Sequence, residues 1–333
     1  MKKIIVTGGA GYIGAHTVIE LSKAGYKPVI IDNLSNSDII NIKGIELILN
    51  QNISWYKADC TERNQLEDIF KNEKDISGVI HFAAYKSVEE SVHHPEKYFK
   101  NNVGSLENIL NVMRKFSVQN IIFSSSCTVY GNPDNLPVTE SDPFKEPTSP
   151  YGETKQICEN ILKSDTLHSV SLRYFNPIGS HRSCNIGDCS KDKPSNLIPI
   201  LTEVAIGKRD KITVYGNDYD TNDGTCVRDY IHVSDLAEAH VNALNFLLKK
   251  SGKHIFNVGT GKGVSVLEAI KIFEKANKLK INHQIGPRRS GDAVAIYSDN
   301  KKIKRHLNWV PKRSLSQAMI DAWNWEKKKL NLL

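Results

Sequence analysis

The sequence predicts an α/β protein built on a doubly wound parallel sheet, with a smaller α/β region at its C-terminal end. Three observations support this prediction. Short runs rich in β-branched residues alternate with segments of helical periodicity through the first half of the chain, which is typical of a parallel sheet with right-handed crossovers. A glycine-rich turn directly follows the first predicted strand. Beyond about residue 176 the alternation ends and proline and glycine become frequent.

The predicted strands of the sheet are short and mostly apolar. They cover residues 3–7, 28–32, 53–56, 78–82, 120–124 and 170–173. Helices are predicted at about 62–74 and 95–116, and a further helix begins near Pro150. Because ligands of open parallel sheets bind beyond the carboxyl ends of the strands, we expect the functional residues just after these runs.

The turn after the first strand indicates a dinucleotide site. It reads GGAGYIG at residues 8–14, and the second strand ends at Asp32. Glycines let the backbone approach a pyrophosphate, which also interacts favourably with the N-terminus of the next helix. A carboxylate at this position accepts hydrogen bonds from a ribose and repels a 2′-phosphate. Strand, turn, helix, strand and acid in this order predict NAD rather than NADP.

A second motif, SPYGETK at residues 149–155, places a phenol and an ammonium together. Pro150 suits the first turn of a helix, and on that helix Tyr151 and Lys155 share one face. A nearby cation lowers the pKa of a phenol, so we expect Tyr151 to transfer protons near neutral pH. Taken alone, the pattern is common by chance, and a helix-start aromatic with a solvated lysine is the alternative.

The C-terminal part is predicted to form a region that does not fold independently. We divide the chain into a dinucleotide-binding domain at 1–176 and a substrate-binding region at 177–333, with the chain crossing between them. Helices are predicted at 196–207 and 234–250. Ser265 and Ser314 each stand three residues before a glutamate or glutamine, which indicates the start of two more helices.

Composition argues against several functional classes. The chain has 44 Lys+Arg against 37 Asp+Glu, but the lysine clusters fall in predicted helices, so solvated helix faces are favoured over a nucleic-acid surface. No apolar run is long enough to cross a bilayer, and no secretory leader is expected. The six cysteines lack zinc-ligand spacing, so we expect reduced thiols, no metal site and a cytoplasmic location.

Five segments spread over nearly the whole chain carry a resemblance. They read TGGAGYIG (7–14), SSSCTVYG (124–131), YGETK (151–155), RYFNP (173–177) and VRDYIHV (227–233). Together they resemble the extended short-chain dehydrogenase/reductases, which have a Rossmann fold, and more narrowly the UDP-glucose (UDP-galactose) 4-epimerase family. The resemblance implies an NAD-dependent isomerase of galactose metabolism that interconverts UDP-galactose and UDP-glucose. It also implies a homodimer, formed through the helices near 95–116 and 151–164.

The resemblance further implies three sets of site residues. The catalytic set is Tyr151, Lys155 and Ser126. The NAD set is Gly8, Gly11, Tyr12, Ile13, Gly14, Asp32, Asn33, Leu34, Ser35, Asn36, Ser37, Asp59, Cys60, Phe82, Ala83, Ala84, Tyr85, Lys86, Asn101, Ser126, Tyr151, Lys155 and Phe175. The UDP-sugar set is Lys86, Ser126, Tyr151, Asn176, Asn196, Leu197, Thr213, Val214, Tyr215, Arg228, Arg289, Asp292 and Ile296.

The implied reaction oxidises C4 of the sugar to a ketone, lets the sugar rotate and reduces it on the opposite face. A nucleotide-sugar 4,6-dehydratase is the nearest alternative, but dehydratases of this superfamily have Asp-Glu after the Ser/Thr. This chain has Cys127 and Thr128 there, which counts against elimination. A catalytically silent NAD-binding regulator is an alternative of another class, although such proteins usually lose the Tyr-Lys pair.

The resemblance assigns substrate size selection to Ile296. A tyrosine at this position is associated with rejection of N-acetylated sugars, and small residues with their acceptance. Isoleucine is intermediate in size, and a misfit of one methylene is worth about 1–3 kcal/mol. We therefore expect slow conversion of UDP-N-acetylglucosamine and UDP-N-acetylgalactosamine. The alternative is that Ile296 packs in the core and has no influence on the substrate.

Overall fold

The computed structural model describes residues 1–289 and 291–331. In chain order its strands are β1 (Lys3–Thr7), β2 (Lys27–Asp32), β3 (Ser54–Lys57), β4 (Ile76–His81), β5 (Asn120–Ser126), β6 (His168–Tyr174), β7 (Asn176–Ile178), β8 (Ile212–Tyr215), β9 (Val227–Arg228), β10 (Tyr230–His232), β11 (Lys253–Val258), β12 (Val264–Ser265), β13 (His283–Gly286) and β14 (Ala295–Ile296). Ser290 and the last two residues of the predicted 177–333 region lie outside this description.

The helices alternate with the strands in the first half and enclose the short strands in the second. They are α1 (Tyr12–Lys23), α2 (Ile39–Leu49), α3 (Arg63–Asn72), α4 (Val88–His93), α5 (Pro95–Tyr98), α6 (Gly104–Lys115), α7 (Pro150–Ser164), α8 (Leu197–Ala205), α9 (Val233–Leu247), α10 (Val266–Asn277), α11 (Lys301–Leu307) and α12 (Leu315–Leu330). In the part of the chain that is described, no helix is long and apolar enough to cross a membrane.

Seven parallel strands form the main sheet in the order β11-β6-β5-β4-β1-β2-β3. The doubly wound fold and all six predicted strands are confirmed. The seventh strand, β11, was not predicted. It belongs to the C-terminal region yet pairs with β6 from Lys253↔Ser169 to Val258↔Tyr174. Residues beyond 176 therefore return to complete the sheet, and the boundary at 176 stays a prediction.

Apolar side chains cover both faces of the main sheet. On one face α1 and α9 pack over Ile4, Val6 and Ile30, and on the other α3, α6 and α7 pack over Ile5 and Val29. A third apolar cluster lies between α8, α10 and α12 in the C-terminal region. The predicted helix 95–116 is interrupted, because a π-helical turn at Phe99–Val103 separates α5 from α6.

The predicted helix starts in the C-terminal region are confirmed. The Ser265 hydroxyl accepts a hydrogen bond from the Glu268 amide at 3.1 Å, and that of Ser314 accepts one from the Gln317 amide at 3.2 Å. Each bond satisfies an amide that has no partner inside its helix. The short strands of this region pair as β8 with β13 and as β12-β9-β14.

Candidate active site

One continuous cleft of about 520 Å³ lies between the carboxyl ends of the main sheet and the C-terminal region. Nearly all residues predicted for the site line it. They are Gly8, Gly11, Tyr12, Ile13, Gly14, Asp32, Asn33, Ser35, Asn36, Ser37, Asp59, Cys60, Phe82, Ala83, Ala84, Tyr85, Lys86, Asn101, Ser126, Tyr151, Lys155, Phe175, Asn176, Asn196, Leu197, Thr213, Val214, Tyr215, Arg228, Arg289 and Asp292. Residues from both halves of the chain therefore meet in one cavity.

The glycine-rich turn fits a pyrophosphate. Gly8 has φ +68, and a Cβ added there would lie 2.8 Å from the Ala83 nitrogen. A Cβ on Gly14 would lie 2.2 Å from the Gly8 carbonyl oxygen, so only glycine fits at either position. The N-cap of α1 is Gly11, which has no side chain to occupy the first amides of the helix. These amides are therefore available to an anion.

Asp32 lies beside this turn at the end of β2, where its carboxylate is held in place. It accepts hydrogen bonds from the Ala10 amide at 3.0 Å, the Leu34 amide at 2.9 Å and the Ser37 hydroxyl at 2.7 Å. The remaining lone pairs of the two oxygens can still accept hydrogen bonds from a ribose. A negative charge at this position repels a 2′-phosphate, so this acceptor fits the ribose of NAD better than that of NADP.

The catalytic candidates come together at the ends of β5 and the start of α7. Ser149 caps α7 by accepting a hydrogen bond from the Gly152 amide at 3.2 Å, with Pro150 at the first helical position. Lys155 is buried, and its Nζ donates to the Ser124 carbonyl at 2.7 Å. The same nitrogen lies 5.8 Å from the centre of the Tyr151 ring. Phenol, ammonium and the Ser126 hydroxyl therefore share one corner of the cleft.

The prediction that Lys155 lowers the pKa of Tyr151 is wrong for the protein alone. Burial raises the pKa of Tyr151 to about 12, with only a partial offset from a hydrogen bond to Ser126. Burial also lowers the pKa of Lys155 to about 8, and the charges of Cys158 and Glu159 oppose this shift. The i and i+4 spacing predicted the correct face, but it could not show that the tertiary fold buries Lys155 and partly buries Tyr151.

Two arginines and one carboxylate form the far end of the cleft. Arg289 makes a two-point contact with Asp292, with its Nε 3.1 Å from Oδ2 and its Nη2 2.8 Å from Oδ1. Arg228 reaches the same Oδ1 at 3.3 Å. The Arg289 guanidinium also lies 5.6 Å from the centre of the Tyr215 ring. Two cations share one anion, which leaves a net positive site suited to a diphosphate.

Two predicted site residues do not line the cleft within the described chain. The Leu34 side chain packs against the main core, while its amide binds Asp32. Ile296 is 6% exposed and packs in a small cluster with Val129 and Phe175. Ile296 can therefore influence a bound sugar only through Phe175 or another neighbour that faces the cleft, which favours the core-packing alternative.

Other cleft residues were missed by the sequence reasoning. Asp188 lies 3.7 Å from Lys86 as an ion pair, and Lys86 helps to lower the pKa of this carboxyl against its burial. Tyr174 hydrogen-bonds Ser124 next to the catalytic corner. Pro194 and Lys329 also contribute to the lining. Asp188 and Pro194 lie in irregular segments, whose contacts have no periodic signal, whereas Lys329 lies in α12 and Tyr174 stands inside the RYFNP motif.

Comparison with known proteins identifies the family. A family model described as GDP-mannose 4,6 dehydratase matches residues 5–321. The UDP-glucose 4-epimerase of Bacillus subtilis is 45% identical over 333 residues, which is 98% of each chain. The chain belongs to the UDP-glucose 4-epimerase family.

Solved structures of this family agree with the fold over the whole chain. The UDP-glucose 4-epimerase of Bifidobacterium longum, in complex with NAD+ and UDP, is 42% identical with a TM-score of 0.96. That of Stenotrophomonas maltophila, with bound NAD and formylated UDP-arabinopyranose, is 40% identical with a TM-score of 0.96. Each comparison covers 100% of both chains. The resemblance seen in the sequence motifs is therefore confirmed.

Proposed function

We propose that this protein interconverts UDP-galactose and UDP-glucose, with NAD as its cofactor, by oxidation and re-reduction at C4 of the sugar. The observation that supports this most directly is the single cleft that joins a dinucleotide turn, a Tyr-Lys pair and an arginine clamp. NAD binds along Gly8–Gly14, Asp32 and the ends of β3 and β4. The UDP part of the substrate binds at the opposite end of the cleft, where β8 and the arginines meet.

Tyr151 is the proton-transfer group of this reaction. Its hydroxyl lies in the catalytic corner with Ser126, which is placed to share a hydrogen bond with the sugar 4-OH. Because its pKa is about 12 in the protein alone, Tyr151 needs added positive charge nearby to act as a phenolate. Bound NAD supplies the hydride acceptor and donor as well as a positive charge. Tyr151 takes the 4-OH proton and later returns it, and Lys155 stabilises the phenolate.

The sugar must turn over while the nucleotide remains held. Arg228 and Arg289 suit this task, because guanidinium groups bind diphosphate oxygens in a two-point geometry. The exposed ring of Tyr215, beside Arg289, offers a surface for the base. With the UDP anchored at the arginine end of the cleft, the sugar is free to rotate. It can then present either face of C4 to the reacting groups at the catalytic corner.

Elimination of water, as in a 4,6-dehydratase, is disfavoured by the residues after Ser126. The Cys127 thiol has a pKa raised by burial to about 12, so it is neither a ready base nor a ready acid. Thr128 has a buried hydroxyl without a hydrogen-bond partner among the described residues, and an alcohol cannot replace a carboxyl group in proton transfer. Both groups that elimination requires are therefore missing here.

The direct test is to incubate the purified protein with UDP-galactose and to measure UDP-glucose by chromatography. Tyr151→Phe should lower kcat by roughly 10²–10⁴, the usual effect of losing a general base, while thermal unfolding and NAD content stay unchanged. Tyr56→Phe is the control, because the Tyr56 hydroxyl donates to Glu73 at 2.9 Å and Tyr56 does not line the cleft. Near-normal turnover by Tyr151→Phe would refute the catalytic assignment, and an inactive parent protein would favour the silent NAD-binding regulator.

Three finer parts of the proposal go with this activity. A homodimer through α6 and α7 is supported by the family resemblance. A cytoplasmic location is supported by the six cysteines, all of which are free. A slow activity on N-acetylated UDP-sugars is supported by the family resemblance alone, because Ile296 packs in the core and can act on a sugar only through a neighbour such as Phe175. Light scattering tests the homodimer, and cell fractionation tests the location. Assays with the plain and the N-acetylated UDP-sugar pairs test the slow activity.

A further inference from the structure

A buried ion pair lies directly behind the catalytic corner. Arg173 of β6 and Glu159 of α7 are each 3% exposed. The Arg173 Nη2 lies 2.7 Å from Glu159 Oε2, and its Nε lies 2.9 Å from Oε1. The Ser125 hydroxyl of β5 also donates to Glu159 Oε1. One carboxylate thus connects two strands and a helix.

Each of these three residues is a near neighbour of a catalytic or cleft-lining residue. Ser125 immediately precedes Ser126, and Glu159 lies one helical turn after Lys155. Arg173 lies two residues before Phe175. Within the described chain, neither Glu159 nor Arg173 lines the cleft itself. The pair therefore touches the elements that carry the reacting groups without reaching the substrate.

Stability alone does not explain the pair. A buried ion pair is often no better for stability than apolar side chains of the same volume, because both charges lose their water. This pair is also incompletely satisfied, since Arg173 Nη1 is buried and has no hydrogen-bond partner among the described residues. Its guanidinium carbon lies 4.9 Å from the Tyr130 ring centre and 5.1 Å from that of Phe144. Such an arrangement is better suited to fixing geometry than to adding stability.

The pair also affects the charge balance around Lys155. Glu159 supports the protonated form of Lys155 against burial, as does Cys158. On the sheet side, Lys155 faces His81, which burial and the charge of Lys155 keep neutral. Both Glu159 oxygens accept hydrogen bonds from Arg173, and the Lys155 Nζ donates instead to the Ser124 carbonyl.

We propose that Glu159 and Arg173 are positioning residues, which hold α7 against β5 and β6 so that Tyr151, Lys155 and Ser126 keep their relative placement. This inference rests on the proposed function. Loss of the pair should reduce kcat and leave KM for UDP-galactose nearly unchanged, because the diphosphate clamp lies at the other end of the cleft. A pair with a purely structural role would instead change stability and activity together.

The decisive variant replaces the whole pair by apolar residues, as Glu159→Leu with Arg173→Met. The Tm should stay within a few degrees of the parental value, because no unpaired charge is left in the core. The small loss expected comes from the Ser125 hydroxyl, which loses its acceptor. We expect kcat to be at least about tenfold lower than that of the parent protein. Recovery of parental kcat along with parental stability would overturn the proposal.

Two single variants keep the test informative if the double variant does not fold. Arg173→Lys retains the charge but loses the two-point contact, and kcat should fall by about tenfold or more. Arg313→Lys is the matched control, since Arg313 pairs with the buried Asp235 at a distance from the cleft. It should lower thermal stability by no more than Arg173→Lys does, because Arg313 is a third exposed, and it should leave kcat intact. Equal kcat losses in the two variants would overturn the proposal.

The pH dependence provides a readout that a structural role would not change. In Glu159→Gln, the charge of Arg173 is no longer neutralised, so Lys155 loses its proton at lower pH. The basic limb of kcat should then move to lower pH. Burial lowers the pKa of folded Lys155 to about 8, so stability rises as the pH passes this value and the folded state releases the proton. The start of that rise should also move to lower pH. If neither the basic limb of kcat nor the alkaline rise in stability moves, the proposal is contradicted. The stability measurement needs no turnover, so it separates this inference from the proposed function, which fails if the parent protein is inactive.

Discussion

Replacing Lys155 by Met should change how stability depends on pH. The pKa of Lys155 is about 8 in the folded protein against 10.5 for an ordinary lysine. Below pH 8 both the folded and the unfolded states carry the charge, so the full cost of burying it is present. Between pH 8 and 10.5 the folded state releases the proton while the unfolded state keeps it, and stability rises. Above 10.5 the cost is gone.

The size of the effect follows from the two pKa values. A difference of about 2.5 units corresponds to about 3 kcal/mol. Unfolding entropy scales with length at roughly 2 cal/mol/K per residue, so about 3 kcal/mol moves the Tm of a chain of this size by about 4 °C. Lys155→Met also leaves the Ser124 carbonyl without its donor, which costs about 1–3 kcal/mol. That cost does not depend on pH, so the pH trend isolates the ionisation.

The assay is thermal unfolding of both proteins, stripped of bound nucleotide, from pH 7 to pH 10.5. Relative to Lys155→Met, the parent protein should gain about 4 °C over this interval, and other alkaline titrations cancel in the comparison. In parallel, kcat of Lys155→Met should fall by about 10² or more, because the phenolate of Tyr151 loses its fixed cation. Parallel Tm curves for the two proteins would refute the lowered pKa of Lys155 and the burial that causes it.

Two further predictions concern the ends of the cleft. Asp32→Ala should weaken NAD binding by about tenfold, since hydrogen bonds to a charged acceptor are lost. It should also reduce the preference for NAD over NADP. Calorimetric titration with both dinucleotides checks this, and an unchanged preference would remove Asp32 as the ribose ligand. Ile296→Tyr should lower any turnover of N-acetylated UDP-sugars by roughly 10–200-fold and spare the plain sugars. An unchanged ratio would mean that Ile296 only packs against Phe175 and its neighbours.

Features set by local chemistry were predictable from the sequence. The glycine turn and Asp32 lie within one strand-helix-strand unit, so their placement depends on contacts between near neighbours. The face shared by Tyr151 and Lys155 followed from helical periodicity in the same way. The six strands predicted by apolar runs likewise form the core of the observed sheet.

Features set by distant contacts were not predictable. The pKa of Tyr151 depends on how completely the fold excludes water, which no local pattern records. Strand β11 begins with Lys253 and His254 and follows a lysine-rich helix end, so its sequence resembles a surface connection. Only its pairing with β6 in the folded protein identifies it as a strand of the main sheet. The exclusion of Ile296 from the cleft lining likewise arises from tertiary packing in its cluster.

The position of β11 late in the chain has a consequence for biosynthesis. Strand β6 ends at Tyr174, but the strand that covers its outer edge ends at Val258. At about 5–20 residues per second, a ribosome needs roughly 4–17 s to make the intervening segment. During that interval the nascent sheet exposes unpaired backbone along β6, a surface that can pair with other chains. Slow translation between these two strands should therefore favour aggregation of the unfinished protein, and a chaperone that shields this edge should favour its release in native form.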